Sequence, residues 1–104
     1  MTRGDVYELS LRRGRGREQR ESRYGVILQT AAVLDLSTVI VAPTSTSAIA
    51  LSFRPEIKLE GTKTRVMVEQ MRAVDPQRLG KCVHHFTLDE QHEVDQALRA
   101  ILSL

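Results

Sequence analysis

The sequence predicts a mainly β domain with one C-terminal helix, an α+β chain in which strands dominate, and two patterns support this prediction. The first is a series of short runs rich in β-branched residues, separated by glycine, proline and polar residues. The second is a single segment near the C-terminus whose apolar residues recur at helical spacing. Because the strands follow one another without intervening helices, we expect a small, compact barrel rather than a parallel sheet.

Six runs predict the strands. They are residues 6–11, 24–32, 38–44, 53–59, 64–74 and 81–86. Glu60 and Gly61 predict the turn before the fifth strand. Pro43 lies late in the third run, and proline cannot donate a hydrogen bond to a central ladder. We therefore expect the third strand to end at Pro43 or to lie at an edge.

The helix is predicted after residue 87. Thr87 and Glu90 have the spacing of a capping box, in which each side chain accepts a hydrogen bond from an otherwise unpaired amide. One helix face then carries Val94, Ala97, Leu98, Ile101 and Leu102. Asp89 and Glu90 lie in the first turn, where the helix dipole favours acidic groups, so this acidic cluster has a structural role rather than a catalytic one.

Length and composition limit the class of protein. The chain has 104 residues, of which 41% are hydrophobic and 27% charged, so we expect one domain over residues 1–104 and not a disordered chain. No run approaches the ~18 apolar residues of a membrane span, and no secretory leader is recognisable. A single cysteine, Cys82, excludes an internal disulfide and is typical of a reducing cytoplasm. We therefore expect a cytoplasmic protein without a membrane partner.

Charge is distributed unevenly along the chain, although its net value is only +2. Residues 10–25 contain six arginines and two glutamates, and residues 88–104 contain four acidic residues and one arginine. Arginine presents a planar fork of donors that suits phosphate oxygens. The arginine-rich segment is therefore either a solvated surface loop or a phosphate-binding surface.

Metal-dependent and nucleophilic catalysis find little support in the residue pattern. Cys82, His84 and His85 form the one cluster of metal-ligand types, but neighbouring residues on a strand point to opposite faces. His84 and His85 cannot both reach one ion on a strand, so we expect no metal and no cofactor. A hydrogen-bonded, half-buried strand histidine and a small core cysteine are the simpler interpretations. The sequence also has no G-x-S-x-G elbow, and Gly14 and Gly16 lack the context of a phosphate-binding fingerprint.

The remaining candidates are Arg23, immediately before the second strand, and Thr44, at the end of the third. A guanidinium and a hydroxyl can hold a phosphodiester without a metal, because both donate to the oxygens on which charge develops. RNA carries its own nucleophile, the 2′-hydroxyl, so the protein need not supply one. These two residues therefore favour chemistry on RNA.

Five segments, in order along the chain, resemble the MazF/PemK family. They are RGDVY at 3–7, GREQ at 16–19, Arg23 followed by VILQ at 26–29, VAPTS at 41–45, and VEQMRAVDPQRLG at 68–80. The resemblance implies a small SH3-like barrel of the type shared with the gyrase poison CcdB, and a toxin of a type II toxin–antitoxin system. Most members of the family are homodimeric, metal-independent endoribonucleases that cut single-stranded RNA at short sequences. Attack by the 2′-hydroxyl leaves a 2′,3′-cyclic phosphate and a 5′-hydroxyl.

The resemblance also implies roles for individual residues. The essential arginine of the family falls on Arg23 and its threonine on Thr44. Glu18 and Gln19 fall in the loop that shapes RNA entry, and Gln70 matches a glutamine that contacts bases. Ser45 is expected to bind RNA, and the nearby hydroxyls of Ser45 and Ser47 leave open which hydroxyl takes the role given to Thr44.

Partners follow from the same resemblance. The expected antitoxin offers an acidic, partly disordered tail that suits an arginine-lined groove. We also expect a homodimer, with Val66, Val68 and Met71 as apolar surface shared across a two-fold interface. The alternative is a non-catalytic toxin on the same barrel, either a CcdB-like gyrase inhibitor or an RNA binder. Such a protein would not need the pair of Arg23 and Thr44.

Overall fold

The structure, a computed structural model, describes residues 1–10, 24–31 and 37–104. This part of the chain contains strands β1 to β7 followed by helix α1. The strands are β1 (Asp5–Leu9), β2 (Tyr24–Ile27), β3 (Val39–Ser45), β4 (Glu56–Leu59), β5 (Thr62–Val66), β6 (Arg72–Val74) and β7 (Leu79–His85), and the helix is α1 (Leu88–Leu102). Two short 3₁₀ helices, Val68–Gln70 and Pro76–Arg78, flank β6. The predicted class, mainly β with a C-terminal helix, is confirmed.

The sheet is antiparallel and strongly curled, so that it forms half of a barrel. Its strands are hydrogen-bonded in the order β4-β5-β3-β2-β1-β7. β3 lies at the centre, with β2 along one side and both β5 and β6 along the other. The predicted turn at Glu60 and Gly61 joins β4 to β5. Both residues have positive φ, as this type of two-residue hairpin requires.

The run 64–74, predicted as one strand, is divided into β5 and β6, so that prediction is wrong. Thr44 of β3 pairs with Val66, whereas Val41 of β3 pairs with Arg72. Three steps along β3 are therefore matched by six steps along the facing chain. The three extra residues form the 3₁₀ helix Val68–Gln70, which bulges away from the edge of β3. The alternation of inward and outward side chains is the same before and after this 3₁₀ helix. The sequence pattern therefore does not reveal the helix.

Pro43 does not end β3, and β3 is not an edge strand, so both expectations for this residue are wrong. In a strand, the N–H and C=O of one residue point to the same side. The C=O of Pro43 accepts a hydrogen bond of 2.9 Å from the N–H of Met67, between β5 and β6. The donor that proline lacks would have pointed into this break between the two partner strands. The ladder therefore loses nothing at Pro43.

Apolar side chains form two clusters, one on each face of the curled sheet. The cluster beneath α1 contains Val6, Val26, Leu28, Ala42, Ile57, Leu59, Val66, Val68, Val94 and Ala97. The cluster on the other face contains Leu9, Ile27, Val39, Val41 and Val74. Val66 and Val68 are completely buried within one chain and Met71 packs against them, so the expectation that they form a dimer surface is wrong for the two valines. Alternation marks a residue as inward-facing but does not say whether its own chain or a partner covers it.

Helix α1 closes the first cluster. The capping box is confirmed: the Thr87 hydroxyl accepts from the Glu90 N–H, and the Glu90 carboxylate accepts from the Thr87 N–H. Val94 and Ala97 are buried against the sheet, whereas Leu102, predicted on the same face, is half exposed in the last turn. The Arg3 guanidinium fixes α1 to the sheet, since it donates to the Leu28 carbonyl at 2.8 Å and to the Asp95 carboxylate at 2.7 Å.

Candidate functional site

Thr44 and Ser45 form the C-terminal end of β3 and are both buried. Thr44 pairs with Val66, and Ser45 pairs with Arg65 of β5. The Ser45 hydroxyl lies 3.2 Å from the Ser47 hydroxyl and accepts from the Ser47 N–H at 3.2 Å, so it is already engaged. The Thr44 hydroxyl makes no hydrogen bond to any residue in the described part of the chain. Of the hydroxyls that the sequence left open here, that of Thr44 is available to a ligand.

The beginning of β2 lies beside this end of β3. Gly25 pairs with Pro43, which places Tyr24 at the level of Thr44 in the neighbouring strand. A Cβ on Gly25 would approach the Leu9 side chain at 3.2 Å and Val41 at 3.6 Å, so the small residue allows β2 to pack tightly there. Tyr24 directly follows Arg23 in the chain. The backbone therefore connects the predicted arginine to the strand end next to Thr44.

Three predicted site residues, Glu18, Gln19 and Arg23, lie outside the described residues, which resume at Tyr24. Of the other three, Thr44 and Ser45 are neighbours on β3. Gln70 ends the 3₁₀ helix Val68–Gln70, and its side chain is exposed. This 3₁₀ helix follows Met67, whose N–H is bonded to Pro43, so Gln70 lies along the same side of β3.

An ion pair that the sequence did not reveal supports the turn before Gln70. Both Nε and Nη2 of Arg54 donate to Oε2 of Glu69, at 3.0 and 2.6 Å. Arg65 donates to the Arg54 carbonyl at 3.0 Å and to Glu56 at 3.3 Å. The Arg54 and Glu69 side chains are 15% and 22% exposed, so little water screens the pair. The sequence pattern around Arg54 and Glu69 gave no sign of this contact. Arg54 precedes the β4–β5 hairpin and Glu69 follows it, so only the fold brings the two together.

Two buried polar atoms near β3 have no hydrogen-bond partner in the described part of the chain. They are Oε1 of Glu69 and Nε of Arg72. Arg72 belongs to β6 and pairs with Val41 of β3. An acceptor and a donor without partners on this side of β3 are groups that a polar ligand could engage. Arg54 and Arg65 are already bound to carboxylates, so neither offers a free guanidinium to a phosphate.

A second polar group lies where β1 pairs with β7. The predicted divergence of the two histidines is confirmed: His84 contacts Glu90 of α1 at 2.9 Å, and His85 contacts Asp5 of β1 at 2.7 Å. Cys82, predicted as a core residue, is instead half-buried on β7, and its sulfur lies 4.0 Å from Nε2 of His85. The expectation that no metal binds was based on Cys82, His84 and His85 alone. It did not consider Asp5, which is distant in sequence but lies next to His85 in the fold.

Two titratable groups around this cluster have altered pKa values. Burial alone would raise the pKa of Asp5, but hydrogen bonds from His85 and Thr2 outweigh it and hold the pKa below its ordinary value. Burial, with the neighbouring Cys82 and Asp5, raises the pKa of Tyr7. Asp5 is therefore a carboxylate near neutral pH, and Tyr7 keeps its proton.

No helix in the described residues is long and apolar enough to cross a membrane.

The curled sheet, its C-terminal helix and the sequence itself identify the class of protein. A family model described as "PemK-like, MazF-like toxin of type II toxin-antitoxin system" matches residues 2–102. The chain therefore belongs to the PemK-like, MazF-like toxin family, as the resemblance had indicated.

Individual relatives agree with this assignment. The Mycobacterium tuberculosis protein named "Putative toxin Rv3098A/RVBD_3098A" is 38% identical over 104 residues, covering 98% of this chain and 97% of the relative. Among solved structures, an endoribonuclease in complex with its cognate antitoxin, from a mycobacterial species, has a TM-score of 0.80 at 17% identity and covers 100% of this chain and 96% of its own. MazF from Deinococcus radiodurans has a TM-score of 0.79 at 22% identity, with coverage of 100% and 97%. At these identities the structures show a shared fold.

Proposed function

We propose that this toxin is an endoribonuclease that cleaves single-stranded RNA at short sequences, without a metal or other cofactor, in the cytoplasm, and thereby inhibits translation and growth. The observation that carries the proposal is the hydroxyl of Thr44: the residue is buried and lies beside the start of β2, and its hydroxyl makes no hydrogen bond within the described residues. The chain enters β2 directly from Arg23. The Thr44 hydroxyl and the Arg23 guanidinium would together provide the two groups that a phosphodiester needs.

The reaction uses a nucleophile that belongs to the substrate. The 2′-hydroxyl oxygen attacks the adjacent phosphorus and the bond from phosphorus to the 5′-oxygen breaks. The 2′-hydroxyl gives up its proton and the departing 5′-oxygen takes one up, both by exchange with water, so a 2′,3′-cyclic phosphate and a 5′-hydroxyl result. Negative charge accumulates on the non-bridging oxygens during this step, and Arg23 stabilises it. Thr44 donates its proton in a hydrogen bond to one of those oxygens. An arginine is a poor general acid, because its pKa lies above about 12, so the proposed role of Arg23 is electrostatic.

RNA contacts extend along β3 on either side of the scissile phosphate. Gln70 has an exposed amide, which can donate to and accept from a base edge. The turn that carries Gln70 is fixed by the Arg54–Glu69 ion pair, so the amide is presented from a rigid segment. Ser45 belongs to the same strand end, and Glu18 and Gln19 are proposed to border the path by which RNA enters.

The proposed partners are a cognate antitoxin and a second copy of the chain. The mycobacterial endoribonuclease with this fold was solved in complex with its cognate antitoxin, which supports an antitoxin here. Residues 10–25 carry an excess of four positive charges, which an acidic antitoxin tail would complement. Such a tail would compete with RNA for the same arginines.

The direct test is cleavage of a mixed pool of single-stranded RNA by the purified protein, with mapping of 5′-hydroxyl ends. Arg23→Ala should reduce cleavage by at least a hundredfold, since one such electrostatic donor contributes about 10²–10³ in rate. Arg12→Ala is the matched control: it removes the same charge from the same segment and should leave cleavage within about threefold of wild type.

Two results would contradict the proposal. Wild-type protein that binds the pool but yields no new 5′-hydroxyl ends would support the non-catalytic alternative. Cleavage that stops when a chelator is added would show that a metal takes part in the reaction.

A further inference from the structure

A cluster outside the proposed RNA site combines a thiol, an imidazole and a carboxylate. Ligand atoms of Asp5, Cys82 and His85 all lie within 4.8 Å of one another. We propose that this cluster binds a divalent transition-metal ion of the Zn²⁺ type, with Cys82 Sγ and His85 Nε2 as ligands and Asp5 as the residue that orients the imidazole. The proposal does not depend on the ribonuclease activity proposed above.

A β-bulge brings the two ligands to one face of the sheet. Cys82 and His85 are three residues apart, and regular alternation would place them on opposite faces. β7 pairs His84 with Val6 but Cys82 with Tyr7, so Val83 is an extra residue without its own partner. Val83 packs against the core beneath α1, on the side where His84 meets Glu90. The insertion therefore returns Cys82 to the face of His85.

The hydrogen bond between His85 and Asp5 prepares the imidazole for metal binding. Nδ1 of His85 lies 2.7 Å from Oδ1 of Asp5, and a carboxylate there requires the proton on Nδ1. In the neutral ring Nε2 then presents its lone pair, and this atom lies 4.0 Å from Cys82 Sγ. Metal-binding histidines commonly donate their other N–H to a carboxylate in this way, which fixes both tautomer and ring orientation.

The distances fit an ion with tetrahedral geometry. Zn–S bonds near 2.3 Å and Zn–N bonds near 2.0–2.1 Å place a sulfur and a nitrogen about 3.6 Å apart. The observed 4.0 Å must therefore shorten by about 0.4 Å on binding. The His85 side chain is 75% exposed, so a small rotation of the ring meets little resistance. The same exposure leaves the other coordination positions open to water.

Asp5 is held in place independently of an ion. Its side chain is 9% exposed, and its Oδ2 accepts from the N–H of Thr2 at 2.8 Å. Both carboxylate oxygens are therefore occupied, Oδ1 by His85 and Oδ2 by the backbone. This occupancy assigns Asp5 to orientation of His85 rather than to direct coordination.

The donor set selects the class of ion. Thiolate and imidazole suit Zn²⁺ and similar ions, whereas Mg²⁺ and Ca²⁺ prefer oxygen ligands. The cluster is on β1 and β7, which β2 separates from β3 and Thr44 in the sheet. An ion there contributes no group to the proposed cleavage reaction.

The test is a calorimetric titration of the purified chain with Zn²⁺, in the absence of RNA. We expect one ion per chain, no saturable binding of Mg²⁺, and at least tenfold weaker Zn²⁺ binding by Cys82→Ser and by His85→Ala. Asp5→Asn should weaken binding about tenfold, the usual effect of removing the partner of a metal-bound histidine. His84→Gln is the matched control and should bind within about twofold of wild type, because His84 faces Glu90 and not Cys82.

A second measurement guards against variants that lose their fold. Bound Zn²⁺ should slow alkylation of wild-type Cys82 by iodoacetamide at least tenfold, and a chelator should restore the rate. The proposal is overturned if wild-type protein shows no saturable binding up to about a tenfold excess of Zn²⁺. It is also overturned if folded Cys82→Ser and His85→Ala bind Zn²⁺ like wild type. Neither result bears on RNA cleavage, so failure here is distinct from failure of the proposed function.

Discussion

Substitution of Thr44 by valine should make the protein more stable and less active at once. Valine has nearly the shape of threonine, with a methyl group in place of the hydroxyl. Thr44 is 2% exposed, so the change takes place in the interior of the fold. The hydroxyl makes no hydrogen bond within the described residues, so Thr44→Val breaks none of the contacts described here. Any loss of activity would therefore come from the hydroxyl itself.

The size of the stability change follows from burial. A fully buried hydroxyl without a partner costs about 1–3 kcal/mol of desolvation, and a buried methyl group contributes about 0.8 kcal/mol. The Thr44 hydroxyl is not one of the completely buried atoms without a partner, so it keeps some contact with water. Residual access to water lowers the total, so we expect Thr44→Val to raise the free energy of unfolding by about 1–2 kcal/mol. In a domain of this size each kcal/mol shifts Tm by roughly 4–8 °C. A rise in Tm of the order of 5–10 °C is easily measured.

Thr44→Ser is the complementary variant. It keeps the hydroxyl but removes a buried methyl group, which should lower stability by about 1 kcal/mol. Thermal unfolding and RNA cleavage are measured on both variants at one protein concentration. Thr44→Val should gain stability and lose about 10²–10³ in cleavage rate, whereas Thr44→Ser should lose stability and keep most activity.

The opposite pattern would refute the reasoning. If Thr44→Val lowers Tm, the hydroxyl has a stabilising partner and is not reserved for a ligand. If Thr44→Val cleaves RNA within about tenfold of wild type, the hydroxyl does not bind the scissile phosphate.

Three further predictions concern contacts that support the fold. Thr87→Ala should lower the free energy of unfolding by about 1 kcal/mol in urea denaturation, because the N-cap of α1 is lost; an unchanged midpoint would mean that the cap contributes nothing. Glu69→Ala should cost about 2 kcal/mol, since Arg54 is left without its partner in a site that water reaches poorly, and combining it with Arg54→Met should recover part of the loss. Burial would raise the pKa of Asp95, but Gln91, Arg3 and Arg99 together outweigh burial and lower it in the folded state. This carboxylate therefore stabilises the fold at pH values above its unfolded pKa, and the stabilisation is lost as pH falls through its folded pKa. The difference in unfolding free energy between wild type and Asp95→Asn should be about 0.5–1 kcal/mol at pH 7 and should diminish as pH falls below the unfolded pKa of about 3.9 and through the folded value; a difference that stays constant as pH falls would show that it does not arise from ionisation.

The local parts of the fold could be predicted from the sequence, because they depend on neighbouring residues. The capping box needs only Thr87 and Glu90, and the β4–β5 turn needs only Glu60 and Gly61. The division of residues 64–74 could not be predicted. It arises because the first half of β3 pairs with β6 and its last residues pair with β5. That change of partner depends on strand register rather than on the local sequence pattern.

The candidate site shows the same distinction. The sequence correctly placed Thr44 at the end of β3 by its position in a β-branched run. It could not show that Glu69 would meet Arg54, or that Asp5 would meet His85, because these contacts join residues 15 and 80 positions apart. Charge and residue type suggest what such groups can do, but only the pairing of strands shows which of them meet.

The strand order has a consequence for synthesis of this toxin. β1 lies between β2 and β7, and β7 is the last strand in the described chain. A nascent chain on the ribosome therefore carries β1 with one open edge until β7 has been translated. The ion pair of Arg3 with Asp95 likewise cannot form until α1 has been translated, which happens after β7. The described sheet is therefore complete only after β7 has been translated, well after the strand that carries Thr44.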